Sequence, residues 1–171
     1  MNYRTLLFIP GNNPGMLQSS DILGADGVII DLEDAVALPE KDAARILVSE
    51  YLSTFESKTD KFIRINPLDS PYFYDDLEAI KDLNITGIVL PKAGVEPMTK
   101  LEEYLNENGL DLDVIPLVET AIGLETALDI VQISDRIIGL FLGAEDLTLD
   151  LGAKRTKESK EIEYARSRII A

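Results

Sequence analysis

Two carboxylates stand one repeat apart behind apolar runs. Glu119 follows Val114-Ile115-Pro116-Leu117-Val118, and Asp146 follows Gly139-Leu140-Phe141-Leu142-Gly143-Ala144. The 27-residue spacing is that of a strand plus its helix, so neighbouring strands would present both acids at one rim. With water and an oxygen-rich substrate, two such carboxylates make a Mg²⁺ site. The competing reading is a helix cap or a satisfied ion pair. A second acidic group, Asp31-Leu32-Glu33-Asp34, is costly to assemble unless a cation neutralises it. A metal's water ligands would do so, and a capping cluster for the next helix is an equal alternative. Arg64 lies inside the apolar run Phe62-Ile63-Arg64-Ile65-Asn66. Burial there requires a carboxylate partner, either a substrate held by a bidentate fork or the Asp31–Asp34 cluster. Lys92, in Leu90-Pro91-Lys92, has the same two readings. Asn66 stands beside Arg64 at a strand end. Pro10 and Gly11 open a rigid loop that would touch a large substrate or simply turn the chain.

What the chain lacks narrows the chemistry. Of 171 residues none is His or Cys, which excludes a Ser-His-Asp triad, a thiol nucleophile, zinc sites built on His or Cys, and iron–sulfur clusters. Proton transfer is left to Asp, Glu, Lys, Tyr, Arg or water, and any metal must be hard and oxygen-liganded. The 31 acidic and 16 basic residues give a net charge of −15. That disfavours nucleic acid and anionic membrane surfaces as partners. No apolar run nears the roughly 20 residues of a membrane span. The short apolar stretch after Met1-Asn2-Tyr3-Arg4 is broken by Pro10 and Gly11. No signal peptide is expected, and a cytoplasmic setting is the default.

These side chains need a scaffold, and the chain offers a regular one. Short apolar runs at 5–9, 27–31, 62–66, 87–90, 114–118 and 138–142 read as parallel strands covered on both faces, because they are continuously apolar rather than alternating. Between them lie segments of helical period. Ala44, Leu47, Val48, Tyr51, Leu52 and Phe55 form one face of 40–55, and Met98, Leu101, Tyr104 and Leu105 one side of 96–107. Residues 120–131 and 159–170 read as further helices, the last with Ile162, Ala165 and Ile169 buried. The Tyr72-Phe73-Tyr74 aromatics read as packing over a loop. Six βα repeats fit either an α/β barrel or an open doubly wound sheet. Charged and Gly residues after six successive strands favour the barrel mouth, since an open sheet gathers its ligand at one switch point.

The chain resembles the citrate lyase β subunit family, with its malyl-CoA and citramalyl-CoA lyase relatives. The strings that carry the resemblance are RTLLFIPG from Arg4, ADGVIIDLEDAV from Ala25, KDAAR from Lys41 and FIRINPLD from Phe62. They continue with LPK from Leu90, PLVET from Pro116, LGAEDL from Leu142 and YARS from Tyr164. The resemblance implies a TIM-type (β/α)8 barrel, of which residues 1–171 would be the N-terminal portion, about six βα units in a single domain. It implies Mg²⁺ held by Glu119 and Asp146, Arg64 on the substrate carboxylate, and Asp31, Glu33 and Asp34 near the metal's waters. The implied reaction is retro-Claisen cleavage of a citryl thioester, on acyl carrier protein or CoA, to oxaloacetate and an acetyl thioester. Citrate lyase α and γ subunits and a homo-oligomer are the implied partners. Family members continue for roughly another hundred residues, which close the barrel and supply an acid for the enolate; a barrel takes about 250 residues in all. A chain ending at Ala171 would leave apolar edges at the first and sixth strands. The rival readings are a malyl- or citramalyl-CoA lyase, a Mg²⁺-dependent 2-keto-acid aldolase, which the absence of His disfavours, and an inactive assembly module.

Overall fold

The computed structural model describes residues 3–171. Its contacts divide the chain into two compact units, one ending at Val89 and one running Leu90–Ala171. Both are α/β.

The first unit is built from β1 (Leu6–Pro10), α1 (Pro14–Ser19), β2 (Gly27–Asp31), α2 (Lys41–Thr54), β3 (Asp60–Arg64), α3 (Phe73–Ile80) and β4 (Gly87–Leu90), whose last residue opens the second unit. Consecutive strands pair in parallel, β1 to β2, β2 to β3 and β3 to β4. Such neighbours require a crossover, and the helices supply it. All five residues of β2 are buried, as are Phe62, Ile63, Ile88 and Val89 on its neighbours. α2 covers them with Ala44, Val48, Tyr51 and Leu52, and α3 adds Phe73, Leu77 and Ile80. Each fully buried Ile, Leu or Phe contributes about 1.5–3 kcal/mol. β1 is the outer strand of this unit, and its Leu7 and Phe8 remain 37% and 41% exposed. The register aligns Pro10 with Asp31, and Asp31 with Arg64. Three of the chemistry-bearing positions therefore form one row at the strand ends.

The second unit holds α4 (Val95–Glu107), β5 (Asp113–Val118), α5 (Ala121–Glu125), α6 (Ala127–Val131), β6 (Phe141–Leu142), α7 (Ala144–Asp150) and α8 (Glu163–Ile170). β5 and β6 are parallel, with Val118 beside Leu142. Val118, Leu124, Leu147 and Ala165 form a core against which Leu140, Leu142 and Ile169 pack. The apolar side of α4 is buried as its periodicity requires. Gly109, at φ +63°, ends that helix, with Leu110 N–H returning 2.9 Å to the Leu105 carbonyl.

Several elements depart from the sequence expectation. The helix expected over 120–131 is two, broken at Thr126, whose hydroxyl donates to the Ile122 carbonyl at 2.8 Å and competes with the helical ladder. The sixth strand shrinks to Phe141–Leu142, although pairing begins earlier: Ile138 N–H donates to the Val114 carbonyl at 3.1 Å, and Gly139 then interrupts it. Ser159, at φ +53°, stands outside the last helix, which a 3-10 turn at Lys160–Ile162 precedes. The third strand ends at Arg64, so Asn66 lies beyond it. α1 follows directly on the expected turn at Gly11 and Asn12, and α3 occupies the stretch at Tyr72-Phe73-Tyr74 read as a loop. Asn13 caps the first by accepting from Met16 N–H at 3.1 Å, with Pro14 at its start. No helix among the described residues is long and apolar enough to cross a membrane.

Candidate functional site

In the first unit the site grows from the strand ends. The register sets Arg64 beside Asp31, and the two meet as a fork. Nε donates to one Asp31 carboxylate oxygen at 2.8 Å and Nη2 to the other at 2.6 Å. Nη1 lies 3.1 Å from Glu33 Oε2 and 3.7 Å from Asp34 Oδ2. The Phe8 ring covers the guanidinium, 5.1 Å from Cζ, an attractive placement for a cation. Burial alone would lower the Arg64 pKa, but the Asp31 hydrogen bonds and the charges of Asp31, Glu33 and Asp34 outweigh it and raise it. Arg64 is thus the cation that neutralises the acidic cluster.

The loop carrying those acids is itself held from several sides. Asp31 accepts from Glu33 N–H at 2.8 Å and Ala35 N–H at 3.0 Å, tying the turn to the strand. Gly11 N–H donates to the Asp31 carbonyl at 2.8 Å. A Cβ at Gly11 would lie 2.9 Å from that carbonyl oxygen and 3.0 Å from Leu32 Cδ2, so only glycine permits this approach. Gly11 is buried, and acts here through packing. Asn66 is buried too. Its amide nitrogen donates to the Leu32 carbonyl at 3.0 Å and to Asp76 at 2.6 Å, and its backbone N–H to Asp76 at 2.7 Å. Arg45 donates to the other Asp76 oxygen at 3.1 Å and also pairs with Asp42. Burial pushes the Asp76 carboxyl upward in pKa, against the lowering effect of Asn66 and Arg45.

Lys41, Arg45 and Asp76 join this site, although residue type alone does not mark them. Lys41 and Arg45 stand four apart at the start of α2, a spacing that aims both to one side of a helix. That spacing, close behind an acidic cluster, was the available signal. Lys41 Nζ donates to the Leu32 carbonyl at 2.6 Å and to the Glu33 carbonyl at 2.7 Å. Burial lowers its pKa, opposed by the charges of Asp76, Asp31, Glu33 and Asp34.

In the second unit Glu119 follows directly on β5 and is buried. One carboxylate oxygen accepts from the backbone N–H of Lys92 at 2.7 Å. Lys92 adopts φ +45°, a conformation that costs a non-glycine residue about 1–3 kcal/mol. The residue is exposed, and its backbone N–H makes this contact with Glu119. The other Glu119 oxygen lies over Gly143, where a Cβ would stand 2.7 Å away. Gly143 N–H donates to the Val118 carbonyl at 2.9 Å, which extends the β5–β6 pairing to this point. Asp146 follows three residues on, half-buried in the first turn of α7 rather than at a strand end. Acids there suit the positive end of the helix dipole.

The donor set fits a hard divalent ion. Mg²⁺ takes oxygen ligands and is commonly held by one or two carboxylates, with water and substrate oxygens completing the octahedron. Among the described residues no group of three or more metal-ligating side chains converges. Glu119 and Asp146 are carboxylates of the kind such an ion takes, two of the ligands it would need.

Comparison with known proteins gives the same direction. Residues 4–171 match the family model described as HpcH/HpaI aldolase/citrate lyase. The citrate lyase subunit beta of Leuconostoc mesenteroides is 39% identical over 176 residues, covering 98% of this chain and 58% of that protein. Citramalyl-CoA lyase from rat mitochondria is 30% identical, covering 98% of this chain and 55% of that protein. The crystal structure of CitE from Mycobacterium tuberculosis with magnesium and acetate superimposes with a TM-score of 0.81 at 33% identity, over 96% of this chain and 66% of that one. A citrate lyase beta subunit from the same organism, complexed with oxaloacetate and magnesium, gives 0.80 at 33% identity, over 96% and 70%. The chain thus spans somewhat over half the length of these curated relatives. With nearly all of its residues matched, the chain belongs to the HpcH/HpaI aldolase/citrate lyase family.

Proposed function

We propose that the protein carrying this chain is a Mg²⁺-dependent carbon–carbon lyase that cleaves a citryl thioester to oxaloacetate and an acetyl thioester. The observation that carries the reading is the geometry of Arg64. Asp31 occupies the side-on edge of the guanidinium, Nε and Nη2. Arginine has five N–H donors, so the end-on edge, Nη1 with the second Nη2 proton, keeps the shape that takes a carboxylate bidentately. Glu33 stands at that edge now, and a substrate carboxylate would compete with it. Relatives crystallised with oxaloacetate or acetoacetate, together with magnesium, support the substrate class.

In this reading Glu119 and Asp146 hold Mg²⁺, and Arg64 grips the carboxylate end of the substrate. Mg²⁺ bound there supplies positive charge to the oxygen that changes from hydroxyl to ketone. In the reaction the hydroxyl proton passes to water acting as base as the bond to the carbon beside the thioester breaks and the C–O bond becomes a ketone. The electron pair of the broken bond moves onto that carbon, which takes a proton back from water, so no net proton is gained or lost. The Lys92 N–H fixes the orientation of Glu119, and Asp31, Glu33 and Asp34 act by holding Arg64. Pro10 and Gly11 fix the strand end next to Asp31, and Asn66 anchors the same loop. The sequential parallel pairing of β1 to β4 supports a complete fold of the (β/α)8 type, in which residues 1–171 form one N-terminal portion. A carrier protein or CoA would bear the thioester, with citrate lyase α and γ subunits and further copies of the chain as partners in the cytoplasm.

Alanine at Glu119 or Asp146 in the full-length protein should abolish Mg²⁺-dependent release of oxaloacetate from citryl thioester. Wild-type turnover by either variant would sink the assignment. Cleavage of citramalyl-CoA but not of citryl thioester by the wild type would move the substrate to the CoA branch.

A further inference from the structure

We infer that Lys41 is a positioning residue for Arg64, acting through the loop that joins β2 to α2. It is the first residue of α2, where the helix dipole disfavours a cation, and it is only 5% exposed, where an ammonium is costly unless its protons are received. Those protons go to the carbonyls of Leu32 and Glu33, at 2.6 and 2.7 Å. Each of these carbonyls accepts a second donor. Asn66 donates to Leu32 at 3.0 Å, and Val36 N–H to Glu33 at 3.0 Å. The two peptide units so clamped directly follow Asp31, whose carboxylate takes the Arg64 fork, and include Glu33, whose carboxylate faces Nη1. Lys41 therefore fixes the backbone from which both counter-charges reach the guanidinium. The strand register alone already sets Asp31 beside Arg64. What Lys41 adds is the angle of Glu33, and with it the end-on edge of Arg64.

The functional side of this inference rests on Arg64 as the group that meets the substrate carboxylate. The experiment separates the two ideas. In the full-length wild-type protein labelled with ¹⁵N-lysine and ¹³C-carbonyl, Lys41 Nζ should show scalar couplings across hydrogen bonds to the Leu32 and Glu33 carbonyl carbons. Its ammonium protons should exchange slowly. Absence of both signals overturns the clamp without any variant. In Lys41→Met, the Arg64 Nε and Nη resonances should shift and exchange faster, while amides of the strands keep their wild-type positions. Unmoved Arg64 resonances in that folded variant would also overturn the proposal. In turnover, Lys41→Met should raise KM about tenfold with kcat changed much less, and Lys41→Arg should recover part of the loss. A merely structural role would lower the active fraction and leave KM alone. A variant too unstable to fold leaves the wild-type couplings and Lys41→Arg to decide. A wild type without lyase activity would defeat the proposed function and leave the spectroscopic result standing.

Discussion

Gly143 approaches the Glu119 side chain so closely that an added Cβ would lie 2.6 Å from Glu119 Cβ and 2.7 Å from Oε2. Neither side can yield easily. The Gly143 N–H is bonded to the Val118 carbonyl and Glu119 Oε1 to Lys92 N–H. Gly143→Ala should therefore lose about 1–3 kcal/mol of stability, the usual cost of overpacking, and should weaken Mg²⁺ binding. Urea unfolding and a calorimetric Mg²⁺ titration check both, and wild-type values in each would show that Glu119 has slack. Asp76 makes a second test at this scale. It is fully buried between Asn66 and Arg45. Asp76→Ala strands an Arg45 side chain that is 11% exposed, together with the Asn66 donors. Breaking such a pair from one side costs about 3–5 kcal/mol. A loss below about 1 kcal/mol in the same unfolding assay would mean that water or Asp42 replaces it.

Between elements, one ion pair links the turn after α1 to the start of β3. Lys61 on β3 is buried and donates from Nζ to Asp21 at 2.8 Å, while Ser57 donates to the same oxygen at 2.6 Å. Burial alone would raise the Asp21 pKa, but Lys61, Ser57 and the Lys58 N–H together bring it well below the usual aspartate range. A folded pKa below the unfolded one, about 3.9, adds stability that is fully present above that value. The gain is lost as pH falls through it toward the lower folded value. Asp21→Asn should accordingly flatten the acid limb of the stability curve below about pH 4 and reduce stability at neutral pH. An unchanged acid limb would assign that loss to other carboxylates. At this scale, too, the limits of sequence reading are visible. β2 and β4 were legible to the residue because each opens on Gly, runs apolar, and is closed by a strand-ending residue, Asp31 in the first and Pro91 after the second. β6 was not, since its length depends on which residues find a partner. The α5–α6 break depends on a Thr hydroxyl turning back on its own helix, which composition does not encode. The Arg64 choice between substrate and acids stayed open in the sequence because pairing is a matter of register, and register appears only when β2 lies against β3. Lys41 was hidden for the same reason: its partners are carbonyls, which every residue has.

Across these 171 residues the net charge of −15 sets two salt effects against each other. Favourable pairs such as Lys81–Glu78 and Lys100–Glu103 lie on exposed helix faces, and solvent-exposed pairs of this kind contribute little. Screening removes that small gain. It also removes repulsion among the excess acids, where each like-charged pair about 10 Å apart in water costs about 0.4 kcal/mol. With 31 acids for 16 bases, the acids outnumber their possible partners, and repulsion is summed over many pairs at range. The buried Arg64–Asp31 fork and the Lys61–Asp21 pair are shielded from ions and should respond little. Raising NaCl from about 10 mM to about 1 M shortens the screening length from about 30 Å to about 3 Å. Repulsion should be the larger loss, so Tm should rise by several degrees over that range. Arg and Lys substitutions of exposed acids distant from Arg64, Glu119 and Asp146 should raise Tm at low salt and diminish the salt response. A Tm that falls steadily with NaCl would instead mean that the surface pairs act as a network, and that the excess acids are spaced widely enough not to feel one another.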